Sequence, residues 1–175
     1  MNPQIVNFFK TILPQSPQLY ESSCAASAMD LICKHERIRG IDSNFFQDTF
    51  KNINVGFTQL KQMSELTFTI GRLNCDELHG QIKHESNNGR LVLVSIPWGY
   101  FTCFSCVQNA YKASLSNYHI WIGFCINDNV FVAYPRLRDK GDPVMRDFDF
   151  VRRLHAEAVS IQHDFLFECA SYIRS

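Results

Sequence analysis

The run His119-Ile120-Trp121-Ile122-Gly123-Phe124-Cys125-Ile126, the turn Asn127-Asp128-Asn129 and the run Val130-Phe131-Val132-Ala133-Tyr134 read together as a β-hairpin. β-Branched and aromatic residues fill both arms, and three turn-forming residues join them. Upstream, Leu91-Val92-Leu93-Val94-Ser95-Ile96 is a continuous apolar run of strand length, stopped by Pro97. Residues 67–73 predict a first strand, and one or two more are expected near 158–162 and 165–173. The first half of the chain has helical spacing instead. Ile5, Phe8, Phe9 and Ile12 predict a helix over residues 3–12, ended by Pro14 and Pro17. Ser22-Ser23 offers an N-cap for a helix from Cys24 to about His35, with Ala25, Ala28, Met29 and Ile32 as its apolar face. Further helices are expected near 43–51, 57–65 and 147–155, and over Asp76 to Ser86, closed by Asn87-Asn88-Gly89. Helices first and a mostly antiparallel sheet afterwards make the chain α+β.

Composition bounds the rest. A chain of 175 residues is of single-domain length and can bury a core without staples. Seventeen basic residues balance seventeen acidic ones, so no net field advertises nucleic acid or an anionic membrane. No run of about 18 apolar residues suggests a membrane-spanning helix. The start, Met1-Asn2-Pro3-Gln4, lacks the basic and apolar regions of a signal peptide. The expectation is a cytoplasmic protein, or one exported without a cleaved signal. Seven cysteines, an odd number, point to free thiols, with Cys33, Cys125 and Cys169 among apolar neighbours.

Chemistry concentrates in Gln18-Leu19-Tyr20-Glu21-Ser22-Ser23-Cys24-Ala25-Ala26-Ser27-Ala28-Met29. A cysteine in the first turn of a helix faces unpaired N–H groups and the positive end of the helix dipole, which favours the nucleophilic thiolate. Gln18, six residues earlier on an extended approach, could supply one oxyanion donor and the Cys24 N–H a second. Acyl transfer also needs a base, and His119, opening a strand after a polar loop, is the best candidate. The other five histidines are expected on polar, solvated surfaces.

These segments resemble, in order and spacing, the papain-like cysteine peptidases, and in particular the bacteriocin-processing type and its relatives. That family has Gln-x5-Cys before an Ala-rich helix, here Gln18 to Met29, and an apolar strand, here Leu91 to Ile96. A histidine then opens a strand–turn–strand, here His119 onward to Val130-Phe-Val-Ala-Tyr-Pro. A phenylalanine-bearing helix often follows, here Asp147-Phe148-Asp149-Phe150-Val151, so the resemblance spans about residues 17–155. It implies a papain-like fold and a hydrolase with Cys24 as nucleophile, His119 as base and Gln18 in the oxyanion hole. It also implies a peptide or protein substrate and no cofactor or metal. The chemistry could be proteolysis, glutamine deamidation or acyl transfer. Typical members cleave leader peptides beside a transporter domain; these 175 residues hold none, so that substrate does not carry over. A free-standing domain of this kind also fits a bacterial effector. One position departs from the pattern: Tyr134, followed by Pro135, stands where the family has the Asp or Asn that orients the histidine. Asp128, Asp139, Asp142 and Asn117 are other candidates for that role.

Plainer readings compete. Cys24 alone would read as a buried helical thiol, His119 alone as a strand-end histidine, and Tyr134 as packing. With the acid replaced, the chain could be a catalytically silent module that binds peptide. Its groove would then be lined by the aromatic loop residues Trp98, Tyr100, Phe101, Phe104 and Tyr111. Cys103-x2-Cys106 and Cys75-x3-His79 together could offer four zinc ligands, but neither half has a partner at a characteristic spacing. Two loop thiols is the simpler reading. Arg136, Arg138 and Lys140 read as a solvated loop, and Arg152-Arg153 as an exposed helix face.

Overall fold

The computed structural model describes residues 2–38, 44–51, 56–64, 68–97, 118–160 and 165–174. Helix α1 (Pro3–Asn7), capped by the Asn2 side chain, continues as a π-helical stretch, Phe8–Ile12, filling the span expected to be helical. Helices α2 (Cys24–Glu36), α3 (Phe45–Phe50) and α4 (Phe57–Ser64) follow, then strand β1 (Phe68–Leu73) and helix α5 (Cys75–Asn87). Strands β2 (Val92–Pro97), β3 (Tyr118–Ile126), β4 (Asn129–Tyr134) and β5 (Val144–Asp147) come next, and α6 (Phe148–Ser160) and β6 (Phe167–Tyr172) complete the order.

Two expectations need correction. Residues 158–160 close helix α6 and do not form a strand. Val151, Leu154 and Ala158 carry its buried stripe at helical spacing, which overrides the strand preference of Val159. Residues 161 and 162 lie outside the described residues. Strand β5 was not expected at all; it is four residues long and pairs only with β4.

Among the described residues the sheet has six strands in the order β1-β6-β2-β3-β4-β5, and every pairing within it is antiparallel. The α+β class is therefore as expected, but helices cover both faces of the sheet. One face meets α1, its π-helical continuation and α2, through Ile5, Phe8, Met29, Ile32, Leu93, Ile122 and Phe124. The other meets α5 and α6, through Leu78, Ile82, Val94, Trp121, Val132 and Leu154. Period-two alternation along β3 sends Ile120, Ile122 and Phe124 to the first face and His119 and Trp121 to the second. Gly123 also belongs to the second face, where a Cβ would stand 2.6 Å from the Cδ1 of Ile82. That glycine lets α5 lie directly on β3.

Helix α2 is buried from Ala25 through Cys33 on every side. This fits a helix enclosed between the sheet and other helices rather than one lying on the surface. Its body lies on the sheet face of β3 and its first turn reaches Ile120, which places the site.

Candidate active site at a split in the sheet

Strands β3 and β4 pair from Ile126↔Asn129 to Ile122↔Ala133, and the ladder stops there. Two residues further on, Pro135 would have to oppose Ile120, and proline has no N–H to contribute. On its other side β3 stays paired to β2 out to Pro97↔Tyr118. Beyond Tyr134 the chain turns to the segment before α2 instead. The Gln18 N–H donates to the Arg136 carbonyl at 2.9 Å, and the Arg138 N–H donates to the Gln18 carbonyl at 2.9 Å. A short parallel bridge, Gln18↔Leu137, results. The sheet thus splits between β3 and residues 136–138, and the first turn of α2 enters the split.

Cys24 is the first residue of α2, as the sequence predicts. Ser23 is the N-cap, yet its hydroxyl does not cap the helix; it bonds Tyr20, donating to the carbonyl at 2.8 Å. The first-turn N–H groups of Cys24 and Ala25 bear on the sulfur instead, together with the Ile120 N–H of β3. These three donors favour the thiolate, but burial outweighs them and pushes the Cys24 thiol up. The expectation of a thiol titrating low is therefore overturned: the helix terminus is present and Cys24 is half-buried, and the desolvation exceeds what the donors return. Cys33 and Cys169, deeper and away from a helix start, are pushed up to about 12.

Gln18 is 5% exposed, and its side-chain amide donates to the Tyr20 carbonyl at 2.6 Å and the Glu21 carbonyl at 3.0 Å. Both amide hydrogens thus hold the loop before Cys24 rather than the space beside the sulfur. His119 is 4% exposed. Its ring meets Tyr134 edge-on, with centroids 4.3 Å apart, and Trp121 at 6.3 Å; Trp121 and Tyr134 are 4.6 Å apart. Burial holds the imidazole down to about 3, so it is neutral at physiological pH. Cys24 and His119 are brought to consecutive peptides of β3 but from its two faces: the sulfur at the Ile120 N–H, the imidazole against the aromatic wall.

Tyr134 does stand beside His119, where the resemblance places an orienting acid. Burial raises its phenol, opposed by the nearby Arg136 and Arg146. Asp128 sits in the β3–β4 turn, about 20 Å along the strand from His119 at some 3.4 Å per residue, and is out of reach. Asp139 and Asp142 are exposed in the turn after β4. Asn117, Trp98, Tyr100, Phe101, Phe104, Tyr111, Cys103 and Cys106 lie outside the described residues. Cys75 is half-buried at the start of α5, and His79 packs edge-on against Phe148 with ring centroids 4.9 Å apart. Among the described residues no group of three or more His, Cys, Asp or Glu is placed to hold a metal ion.

One further expectation fails. His35 is not on a solvated surface: it is 9% exposed, hydrogen-bonded through Nε2 to the Gly89 carbonyl at 2.7 Å and edge-on to Phe8. Arg152 pairs with Asp76 at 2.7 Å and lies over the Phe148 ring.

Sequence reasoning missed two buried polar residues beside the site. Asp30, 1% exposed on α2, accepts hydrogen bonds from the Phe46 N–H at 2.8 Å and the Gln47 N–H at 3.1 Å, at the start of α3. Burial, partly offset by these bonds, raises its carboxyl to about 6. Gln47, 2% exposed, accepts through Oε1 from the Leu19 N–H at 2.7 Å, with the Ser23 hydroxyl oxygen 3.3 Å away. The only signal for Asp30 was a carboxylate inside an otherwise apolar helical run; Gln47 gave none.

Comparison with protein-family models, with curated proteins and with solved structures finds no match for this chain. Among the described residues no helix is long and apolar enough to cross a membrane.

Proposed function

We propose that this chain is a papain-like thiol hydrolase acting on an amide bond of a peptide or protein. The observation that carries the reading is the Cys24 sulfur at the first turn of α2, laid against the Ile120 N–H one peptide from His119. The split in the sheet supplies the reason: Ile120 is released from β4 and its N–H is free to meet a sulfur. Burial disfavours the charged forms of both groups, so the resting pair is a neutral thiol and a neutral imidazole. His119 then works as a general base rather than as one half of a standing ion pair.

For this reaction the His119 imidazole must leave Tyr134 and come round β3 to the face that holds the sulfur, where it takes the thiol proton as sulfur bonds to the carbonyl carbon. The Cys24 N–H receives the developing oxyanion, and Gln18 adds a second donor once its amide leaves the Tyr20 and Glu21 carbonyls. The imidazolium returns the proton to the nitrogen as the C–N bond breaks. Water, deprotonated by His119, then splits the thioester and restores the thiol. With a backbone amide this is proteolysis, with a glutamine side chain deamidation, and with another acceptor in place of water acyl transfer.

A second reading is favoured by Tyr134 and Gln18. An uncharged ring packs His119 where the family has an acid, and the oxyanion amide is engaged by loop carbonyls. Both features suit a protease-like module that binds peptide without cleaving it. The rate of Cys24 alkylation by iodoacetamide from pH 5 to 9, mapped by mass spectrometry in wild type and His119→Ala, separates the two. The hydrolase reading expects Cys24 alkylation to slow without His119, because the imidazole takes the thiol proton as the sulfur reacts. A Cys24 indifferent to His119 would give the lead to the binding module.

A further inference from the structure

We infer that Gln47 is a positioning residue for Cys24, its side-chain carbonyl fixing the loop that delivers the thiol to β3. The word "positioning" rests on the proposed chemistry, but the placement itself rests on hydrogen bonds. Residues 19–23 have no regular structure and end directly at Cys24. Three side chains hold this loop. Gln18 binds its carbonyls at Tyr20 and Glu21, Ser23 gives its one hydroxyl proton back to Tyr20, and Gln47 takes the Leu19 N–H. Of the three, Gln47 comes from another element, so it ties the loop to α3, beside the longer bond from the Tyr20 hydroxyl to Asp48 at 3.4 Å.

Gln47 is itself anchored. Helix α3 has six residues, too few to hold together unaided, and the Asn44 side chain does not cap it. Asp30 of α2 does that work from outside, taking the Phe46 and Gln47 N–H groups on its two carboxylate oxygens. The chain of contacts therefore leaves α2 at Asp30, passes through the start of α3, and returns at Leu19 to the loop that opens α2. Asp30, Phe46 and Gln47 are almost fully buried, so an acceptor lost here leaves a donor that water does not easily satisfy.

The test compares Gln47→Met, close in shape but with no acceptor oxygen, with Asp48→Asn, the next residue of α3, which leaves that oxygen in place. Two readouts are taken on the full chain: amide hydrogen exchange at Leu19 and the pH profile of Cys24 alkylation, with exchange at Ile122 as a monitor of the core. Gln47→Met is expected to speed Leu19 exchange about tenfold, the equivalent of one buried hydrogen bond. It should also raise Cys24 alkylation severalfold as the loop loosens, leaving Ile122 exchange unchanged. Asp48→Asn should leave both at their wild-type values. Wild-type Leu19 exchange and Cys24 profile in Gln47→Met overturn the inference, as does an equal change in Asp48→Asn. Should Gln47→Met fail to fold, Gln47→Asn, whose side-chain oxygen falls short of the Leu19 N–H, carries the test: faster Leu19 exchange and Cys24 alkylation support the role, and unchanged rates overturn it. Leu19 exchange needs no catalysis. A chain in which His119 has no bearing on Cys24 therefore still supports the positioning role if Gln47→Met moves both readouts.

Discussion

The two ends of the β3–β4 hairpin are built from opposite materials. At the turn end the strands pair without a gap, and Phe124, Val130 and Val132 are buried in apolar surroundings. At the other end the ladder is broken opposite Pro135, and a thiol, an imidazole, a phenol, two amides and a carboxylate gather within a few residues of the break. Within the hairpin, the difference teaches where a buried imidazole is tolerated: not along the complete ladder, but where a missing proline N–H has already interrupted one. Stability should reside at the first end and sensitivity to protons at the second.

The strongest way to break that comparison is Phe124→Ala. Its ring packs on Phe8, Phe9 and Phe131 and is fully buried, so truncation is expected to cost about 3–5 kcal/mol in urea denaturation. The pH dependence of stability should stay as in wild type; a change there would mean that the ends are not independent. Next in size is the proton effect of His119. Its folded value lies near 3 against about 6.5 when unfolded, so the unfolded chain binds more protons between those limits and stability falls as pH falls. From pH 6.5 to 4.5 the loss should be on the order of 2–3 kcal/mol, and His119→Phe should abolish it. Asp30 acts with the opposite sign. Its folded value is raised to about 6, so its contribution is present below about pH 4 and is lost as pH rises toward 6. Asp30→Asn should therefore steepen the acid loss, as stability measured across pH 4 to 7 would show.

Smaller effects sharpen the picture. Gly123→Ala places a Cβ against Ile82, and about 1–3 kcal/mol of destabilisation is expected from thermal unfolding. The smallest effect belongs to Asp128, whose left-handed φ of 64° an asparagine also accepts. Asp128→Asn should change stability by less than about 0.5 kcal/mol and leave the Cys24 alkylation rate unaltered. A slower Cys24 would return Asp128 to the site, against its place in the turn.

The strands and helices that the chain announces by strong periodicity are where the sequence puts them: the helix opening at Cys24, the run at 91–96, the hairpin and the strand at 167–172. Strand β5 was illegible because Val144-Met145-Arg146-Asp147 shows little alternation and owes its form to the edge of β4. The end of α6 was misread because a local preference at Val159 says nothing about the helical stripe that already runs through Leu154. In the site, Gln18, Cys24 and His119 could be nominated from position and spacing and Tyr134 from the resemblance, but the burial of Gln18 and His119 could not. A helix start implies donors around a thiol; only packing reveals that desolvation there outweighs them. The link between Asp30 and Gln47 crosses two helices and leaves no periodic mark in the sequence.

The strand order carries a consequence for how the chain reaches this state. β6, the last strand, lies between β1 and β2, pairing Phe68↔Tyr172 on one side and Leu93↔Ala170 on the other. Until it arrives, β1 has no neighbour in the sheet, and the edge of β2 stays open. Closing these pairs joins residues about 80 to 100 positions apart, and non-local pairing of this kind slows folding. In synthesis, the residues up to β5 are therefore made before the strand that fills the interior of their sheet.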